Sequence, residues 1–321
     1  MKKMRQVRGI VPVLSTPITP EGEIDVEGLN RLVEFLVNKN IGGLWVLGTG
    51  SEDMNLTFKK RLKVAEVVAK ANKGRVPIIL GTGFFAMEDM INFISETSDI
   101  EVDAYHVMPY HPLLGLDRVE WMYRRIADIS PKPLWMYTSA NWSRPIPPQF
   151  VERMKNHPNI AGIKFSSRNA VDVLKVTEMA CEKFQVITAV ASQLYACLCM
   201  GSKGHTSSLG SCLPEVLIRI YELYMEGRHE EALKEQHKLN RFLSEWPKET
   251  KKDNFLQVAE EKYILSLRGI CNAYTTSYYR DLNKEEKRIL RKVLDDYGML
   301  DGGHQNLDNV LSSESGKTER S

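Results

Sequence analysis

At 321 residues and 43% hydrophobic content, the chain suffices for one large α/β domain with a small appendage, or for two ordinary domains. Lys+Arg at 43 against Asp+Glu at 41 leaves a formal charge of +2, and no stretch sets basic residues among stacking aromatics, so nucleic acid is not an expected partner. No stretch approaches a membrane span, and the apolar run 9–14 behind the basic N-terminus is short and ends in Ser-Thr-Pro, unlike a signal-peptide core.

Short β-rich apolar runs alternate with longer amphipathic segments along most of the chain, which is the pattern of parallel βα units. The first run, 10–14, is followed by helical spacing over 25–38, where Leu29, Leu32, Val33, Leu36 and Val37 recur behind Asp25 as an N-cap. The second, 44–47, precedes 57–71, with Leu62, Val64, Ala65 and Val68 on a helical period. Further runs stand at 77–80, 104–108, 133–137, 160–165, 184–188 and 204–208, and the last precedes a helical pattern over 214–225. Eight strands, each followed by a helix, close as a (β/α)₈ TIM barrel over residues 1–227. A doubly wound open sheet would need a phosphate-binding glycine fingerprint after the first strand, where 12–20 offers Ser-Thr-Pro and Thr-Pro. From His229 the strand signal stops. Helical patterns over 229–246, 254–267 and 284–297 make a C-terminal helical region, 228–300, packed on the barrel; its charge runs 248–253 and 284–288 mix both signs and read as solvated faces. The polar segment 301–321 reads as a disordered tail.

Barrels of this kind carry their chemistry where strands end and βα loops begin. Those positions hold Thr16, Gly48-Thr49-Gly50-Ser51-Glu52, Gly81-Thr82-Gly83, Pro109-Tyr110-His111, Tyr137 and Lys164. Lys164 is the sharpest signal, because Ile160-Ala161-Gly162-Ile163-Lys164-Phe165 sets a cation in an otherwise apolar strand. Burial favours the neutral amine, the nucleophile that Schiff-base chemistry with a ketone requires. The competing reading is a strand-end lysine that reaches solvent or pairs with a carboxylate. Tyr137, at the end of the neighbouring strand, could pass protons to and from a carbinolamine, or be a core tyrosine with a satisfied hydroxyl. Gly48, Thr49 and Gly50 offer unobstructed backbone N–H groups and one hydroxyl to a carboxylate. Neither glycine-rich loop has the third glycine of a dinucleotide fingerprint, so a nicotinamide cofactor is not expected. The five cysteines form no CxxC pair and read as free thiols of a cytoplasmic protein. Cys197 and Cys199 have no nearby His or Cys to complete a metal site, so no metal is expected.

Taken together, these residues resemble the dihydrodipicolinate synthase and N-acetylneuraminate lyase family of pyruvate-dependent aldolases, in order and spacing from about Arg8 to Leu300. The resemblance rests on Gly48-Thr49-Gly50-Ser51-Glu52 against the family's GTTGE or GSTGE loop, Gly81-Thr82-Gly83, Pro109-Tyr110, Tyr137 and Gly162-Ile163-Lys164. It implies Lys164 as Schiff-base nucleophile, Tyr137 as proton shuttle, Thr49 as hydroxyl relay and carboxylate ligand, and a homotetramer built as a dimer of dimers. Three departures stand out. Gly50 replaces a second loop hydroxyl and Ser51 the loop's second glycine. His111 replaces the second tyrosine of a pair. Arg144 matches only loosely the synthases' arginine, standing behind the longer loop Thr138-Ser139-Ala140-Asn141-Trp142-Ser143, so lysine biosynthesis is not the favoured assignment.

The expected activity is making or breaking a carbon–carbon bond between a 2-keto acid, pyruvate first among them, and an aldehyde such as a sugar-acid fragment, with no cofactor. Gly48, Gly50, Ser51, Tyr110, His111, Arg144 and Thr206 are the candidate substrate-binding residues; Arg144, with Trp142, Asn141 and Ser143, suits the distal end of an acidic polyhydroxylated substrate. The alternatives are a sugar-acid dehydratase that uses the same imine, and a barrel that has lost its relay and serves as a scaffold.

Overall fold

The computed structural model describes residues 4–139, 143–254 and 256–300. Asn141, Trp142 and the segment 301–321 lie outside the described residues. Eight parallel strands follow in order: β1 (Gly9–Pro12), β2 (Leu44–Val46), β3 (Ile78–Gly81), β4 (Ala104–Val107), β5 (Leu134–Ser139), β6 (Ile160–Ser166), β7 (Gln185–Ala189) and β8 (Gly204–Ser207). Each pairs with the next from β2 to β8, and β8 pairs with β1. The seam between β1 and β2 is held by a bridge of Val13 to Trp45, with the Leu14 amide donating to the Trp45 carbonyl at 2.9 Å. The result is the TIM barrel read from the sequence.

Alternation along each strand sorts side chains into two cores. Val11, Trp45, Ile79, Ala104, Trp135, Tyr137 and Ile187 fill the inside of the barrel. Ile10, Val46, Leu80, Val107, Met136, Ile163 and Val186 point outward and meet the helices. Helix Val26–Val37 lays Leu29, Leu32, Val33 and Leu36 on that outer layer, and Asp25 caps it by accepting from the Gly28 amide at 2.8 Å. Each such fully buried aliphatic side chain contributes roughly 1.5–3 kcal/mol. Thr57 likewise caps helix Phe58–Asn72.

The C-terminal region holds helices His229–Ser244, Val258–Leu267 and Lys284–Asp296. The periodicity places the second of these from 254, whereas the structure starts it at Val258, after a turn over Thr250–Asp253. Asn254 is extended because its side chain is committed elsewhere: its amide donates to the Arg280 carbonyl at 2.8 Å and its oxygen accepts from the Arg280 amide at 2.9 Å. This backbone-like pairing ties the segment to the loop ahead of the last helix. Among the described residues no helix is long and apolar enough to cross a membrane, and no cluster of three or more His, Cys, Asp or Glu is placed to hold a metal.

Candidate active site

The register of β5 on β6 sets Tyr137 directly opposite Lys164. Both face the barrel interior, because Trp135 and Gly162 precede them by two residues on the same side. The absence of a side chain at Gly162 is required there: a Cβ would lie 2.4 Å from the Gln185 carbonyl oxygen and 2.9 Å from the Trp135 ring. The Lys164 ammonium nitrogen lies 3.0 Å from the Tyr137 hydroxyl, which in turn lies 3.0 Å from the Thr49 hydroxyl. The three residues chosen from the sequence as the chemical core therefore form one hydrogen-bonded chain at the C-terminal mouth of the barrel.

The walls of this site are aromatic. The Lys164 nitrogen stands 4.1 Å from the Tyr137 ring centroid and 5.2 Å from that of Trp45. Trp45 stacks on His106 at 4.1 Å, and His106 Nε2 donates to the Val46 carbonyl at 3.0 Å. Lys164 is 4% exposed, and burial pushes its amine down to about 7. The competing reading, a lysine that reaches solvent, does not describe this side chain. The same burial holds the Tyr137 phenol well above its ordinary range, so its hydroxyl stays protonated and can donate. His106 is kept neutral by burial and by the charge of Lys164.

The loop after β2 is built from its own hydroxyls. Ser51 is fully buried and its hydroxyl accepts from the Gly48 amide at 3.2 Å, closing the turn Thr49–Ser51, while Thr16 donates to the Ser51 carbonyl at 2.8 Å. Ser51 is thus a part of the loop's frame, and Thr49 is the loop hydroxyl that reaches the lysine's chain. A Cβ at Gly50 would sit 2.8 Å from Ser208 Cβ, so Ser208 occupies the room a side chain would need. Ser208 donates at 2.6 Å to Glu261, a carboxyl pushed up to about 8 by burial and by Glu260 and Glu52. Glu52 has a left-handed backbone, φ 60°; its carboxylate accepts from the amide and the hydroxyl of Thr276, each at 2.7 Å, and pairs with the buried Lys262.

The other sequence-chosen residues divide. Tyr110 donates to both carboxylate oxygens of Asp53, at 2.7 and 2.9 Å, and the Arg61 guanidinium lies 3.9 Å from that carboxylate. His111 sits outside this group, in a cleft with Phe84, Phe85, Leu114 and Trp121, its ring 6.0 Å from that of Phe85. Arg144 is exposed, and its Nε donates to the Leu114 carbonyl at 2.5 Å, which ties the β5 loop to the β4 loop. Thr206 is fully buried on β8 between Val11 and Ala189, and its hydroxyl has no hydrogen-bond partner among the described residues.

Residues 6–296 match the model of the dihydrodipicolinate synthetase family. The chain belongs to this family. As a dihydrodipicolinate synthetase family member it is a lyase, and its relatives include a 4-hydroxy-tetrahydrodipicolinate synthase from Persephonella marina, 26% identical over 91% of this chain and 99% of that one. Another, from Methanosphaerula palustris, is 25% identical over 90% and 99%. The fold is shared with a prophage protein of the dihydrodipicolinic acid synthase family from E. coli K12 in complex with pyruvate, with TM-score 0.84, 21% identity and coverage of 92% and 100%. It is shared equally with a Ruminococcus gnavus sialic acid aldolase, with TM-score 0.84, 20% identity and coverage of 92% and 98%. Sequence reasoning missed Asp53, Arg61, Trp45 and His106 in this family member's site. Asp53 adjoins the loop motif and could have been noticed as a second acid after Glu52. Trp45 and His106 could not, since strand alternation alone makes them ordinary core residues.

Proposed function

We propose that this lyase captures a 2-keto acid, with pyruvate the first candidate, as a Schiff base on Lys164 and makes or breaks a carbon–carbon bond with an aldehyde. The observation that carries this reading is the buried amine of Lys164 in hydrogen-bond contact with Tyr137, which is itself bonded to Thr49. The neutral amine attacks the ketone carbon, and Tyr137 passes a proton to the carbinolamine oxygen, which leaves as water. Loss of a proton from the adjacent carbon gives the enamine, which adds to the aldehyde carbon. The imine nitrogen takes up the electron pair in the reverse direction, so the route as drawn uses no metal or organic cofactor. The Gly50 amide and the Thr206 hydroxyl, which has no partner among the described residues, are the candidate ligands of the keto-acid carboxylate and oxygen; the Gly48 amide, expected to join them, is taken up by the Ser51 hydroxyl. Arg144, which adjoins the β4 loop, is the candidate for the acceptor's acidic end. The pyruvate complex of the E. coli neighbour supports the first substrate. A sugar-acid dehydratase would share every step up to the imine.

Self-association as a homotetramer fits the same face of the barrel, where Phe85, Leu113 and Trp121 are exposed beside the His111 cleft. A cytoplasmic setting fits five unpaired cysteines. The deciding experiment is borohydride reduction with a panel of 2-keto acids followed by peptide mass mapping. A stable adduct on Lys164 is expected with pyruvate; no adduct with any keto acid would remove the Schiff-base reading. Keto-acid consumption that depends on an aldehyde then separates aldolase from dehydratase.

A further inference from the structure

Two consecutive residues of helix Val258–Leu267, Glu261 and Lys262, reach the loop after β2, and both are buried, at 2% and 1% exposure. Lys262 reaches it directly, through its ion pair with Glu52 at the loop's end. Glu261 reaches it through an intermediary. One of its carboxyl oxygens accepts the Ser208 hydroxyl at 2.6 Å, and Ser208 Cβ lies 2.8 Å from the place where a Cβ at Gly50 would stand. Val13, just past β1, is the other side chain against that place, at 3.3 Å. The neighbours of Gly50 in the loop are held by their own hydroxyls: Thr49 is bonded to Tyr137, and Ser51 takes the Gly48 amide. Gly50 has no side chain to be held by, yet its amide is the loop's candidate ligand for the keto-acid carboxylate.

We propose that Glu261 is a positioning residue of the keto-acid site, which through the Ser208 hydroxyl fixes the wall that Gly50 rests against and so the direction of the Gly50 amide. The inference rests on the Schiff-base reading for the ligand it names. A carboxyl is an unfavourable group to place here. Burial, with Glu260 and Glu52 close by, pushes it up to about 8, so at neutral pH it is the protonated acid. Its second oxygen is buried with no hydrogen-bond partner among the described residues, which leaves the Ser208 bond as the polar contact that this side chain makes there. A leucine in its place would carry no such desolvation cost, but the partly exposed Ser208 hydroxyl would then be free among its staggered positions, one of which the Glu261 acceptor selects. One helix thus holds the loop at two points, Glu52 by charge and Gly50 by packing against a tethered serine.

The test is borohydride trapping of pyruvate on the full chain at neutral pH, read against pyruvate concentration so that the half-saturating concentration and the limiting rate separate. Glu261→Leu removes the acceptor; Ser208→Ala removes the donor and keeps the Cβ, and carries the same test should Glu261→Leu fail to fold. Each is expected to raise the half-saturating concentration about fivefold to tenfold, the change that one hydrogen bond corresponds to, with the limiting rate within about twofold of wild type. Glu261→Gln keeps an oxygen in the same place and mimics the protonated acid, so it is expected to restore the wild-type value. The double variant is expected to lose no more than either single one, since both break the same bond. A wild-type half-saturating concentration in Glu261→Leu or Ser208→Ala, a loss in Glu261→Gln equal to that in Glu261→Leu, or additive losses in the double variant overturns the proposal. Deuterium uptake of the peptide spanning 48–52, measured without keto acid, is the second readout. Faster exchange in Glu261→Leu than in wild type and Glu261→Gln is expected, and equal uptake in all three overturns the proposal. If the wild-type chain forms no adduct with any keto acid, the Schiff-base reading falls, and the uptake alone decides whether Glu261 holds the loop.

Discussion

Replacing Lys164 by Met should abolish keto-acid capture and make the protein more stable at neutral pH. Burial lowers the amine from 10.5 to about 7, which withholds roughly 4–5 kcal/mol of stability from the fold at pH 7 and below. Methionine fills nearly the same volume without a charge to desolvate, at the loss of a hydrogen bond to Tyr137 worth about 1 kcal/mol. The net expectation is a gain of about 3 kcal/mol at pH 6.5–7. Its pH dependence has a definite sign. Between about pH 7 and 10.5 the lysine of the unfolded chain is protonated and that of the folded chain is neutral, so the unfolded state binds more protons and wild-type stability climbs with pH. The variant lacks that slope, and its advantage should shrink steadily toward pH 10. Urea unfolding of both proteins at several pH values between 6.5 and 9.5 measures it. A difference in unfolding free energy that is independent of pH, or a variant less stable than wild type at pH 7, would refute the claim that the fold holds this amine neutral against its solvation.

Tyr137→Phe keeps the ring that packs against Lys164 and Trp45 and deletes the hydroxyl, so turnover should fall by a factor on the order of 10²–10⁴ with little change in thermal midpoint. Gly50→Thr drives a Cβ to 2.8 Å from Ser208, and should cost about 1–3 kcal/mol and most of the activity; adding Ser208→Gly should recover the stability in thermal melts. Glu261 is pushed up to about 8, so the folded state binds its proton between about pH 4.5 and 8 where the unfolded chain does not, and stability from this group falls as pH rises through that window. Glu261→Gln should therefore flatten the loss of stability with rising pH between about pH 5 and 8 in denaturant titrations.

Strand and helix order were legible because both periods are strong here: β-runs a few residues long, followed by helices, the first with its Asp25 cap in the expected place. Lys164, Tyr137 and Thr49 were legible because position at a strand's C-terminal end is itself a chemical criterion in a barrel. What was not legible depends on contacts distant in sequence. Ser51 stands where a substrate ligand was expected, yet its hydroxyl closes its own turn, a choice that only the loop's backbone geometry decides. His111 was expected among the substrate-binding residues, but its ring is turned into the cleft beside Phe85, while Tyr110 takes up Asp53. Gly50 looked like a lost hydroxyl. Its partner, Ser208, is more than 150 residues away, and no local pattern announces that the two share one space.

The anchoring of Glu52 by Lys262 and Thr276 has a consequence for how the protein is made. The ribosome delivers all eight strands before it delivers either partner, and domains begin to fold as they emerge. A nascent chain that has closed its barrel still holds, in the turn beside Thr49, a glutamate with a left-handed backbone and no cation to meet it. The loop reaches its final shape only when the residues through Thr276 are released. Completion of the barrel's mouth thus waits on the C-terminal region, and chains broken off before Lys262 carry Lys164 but lack both groups that hold Glu52.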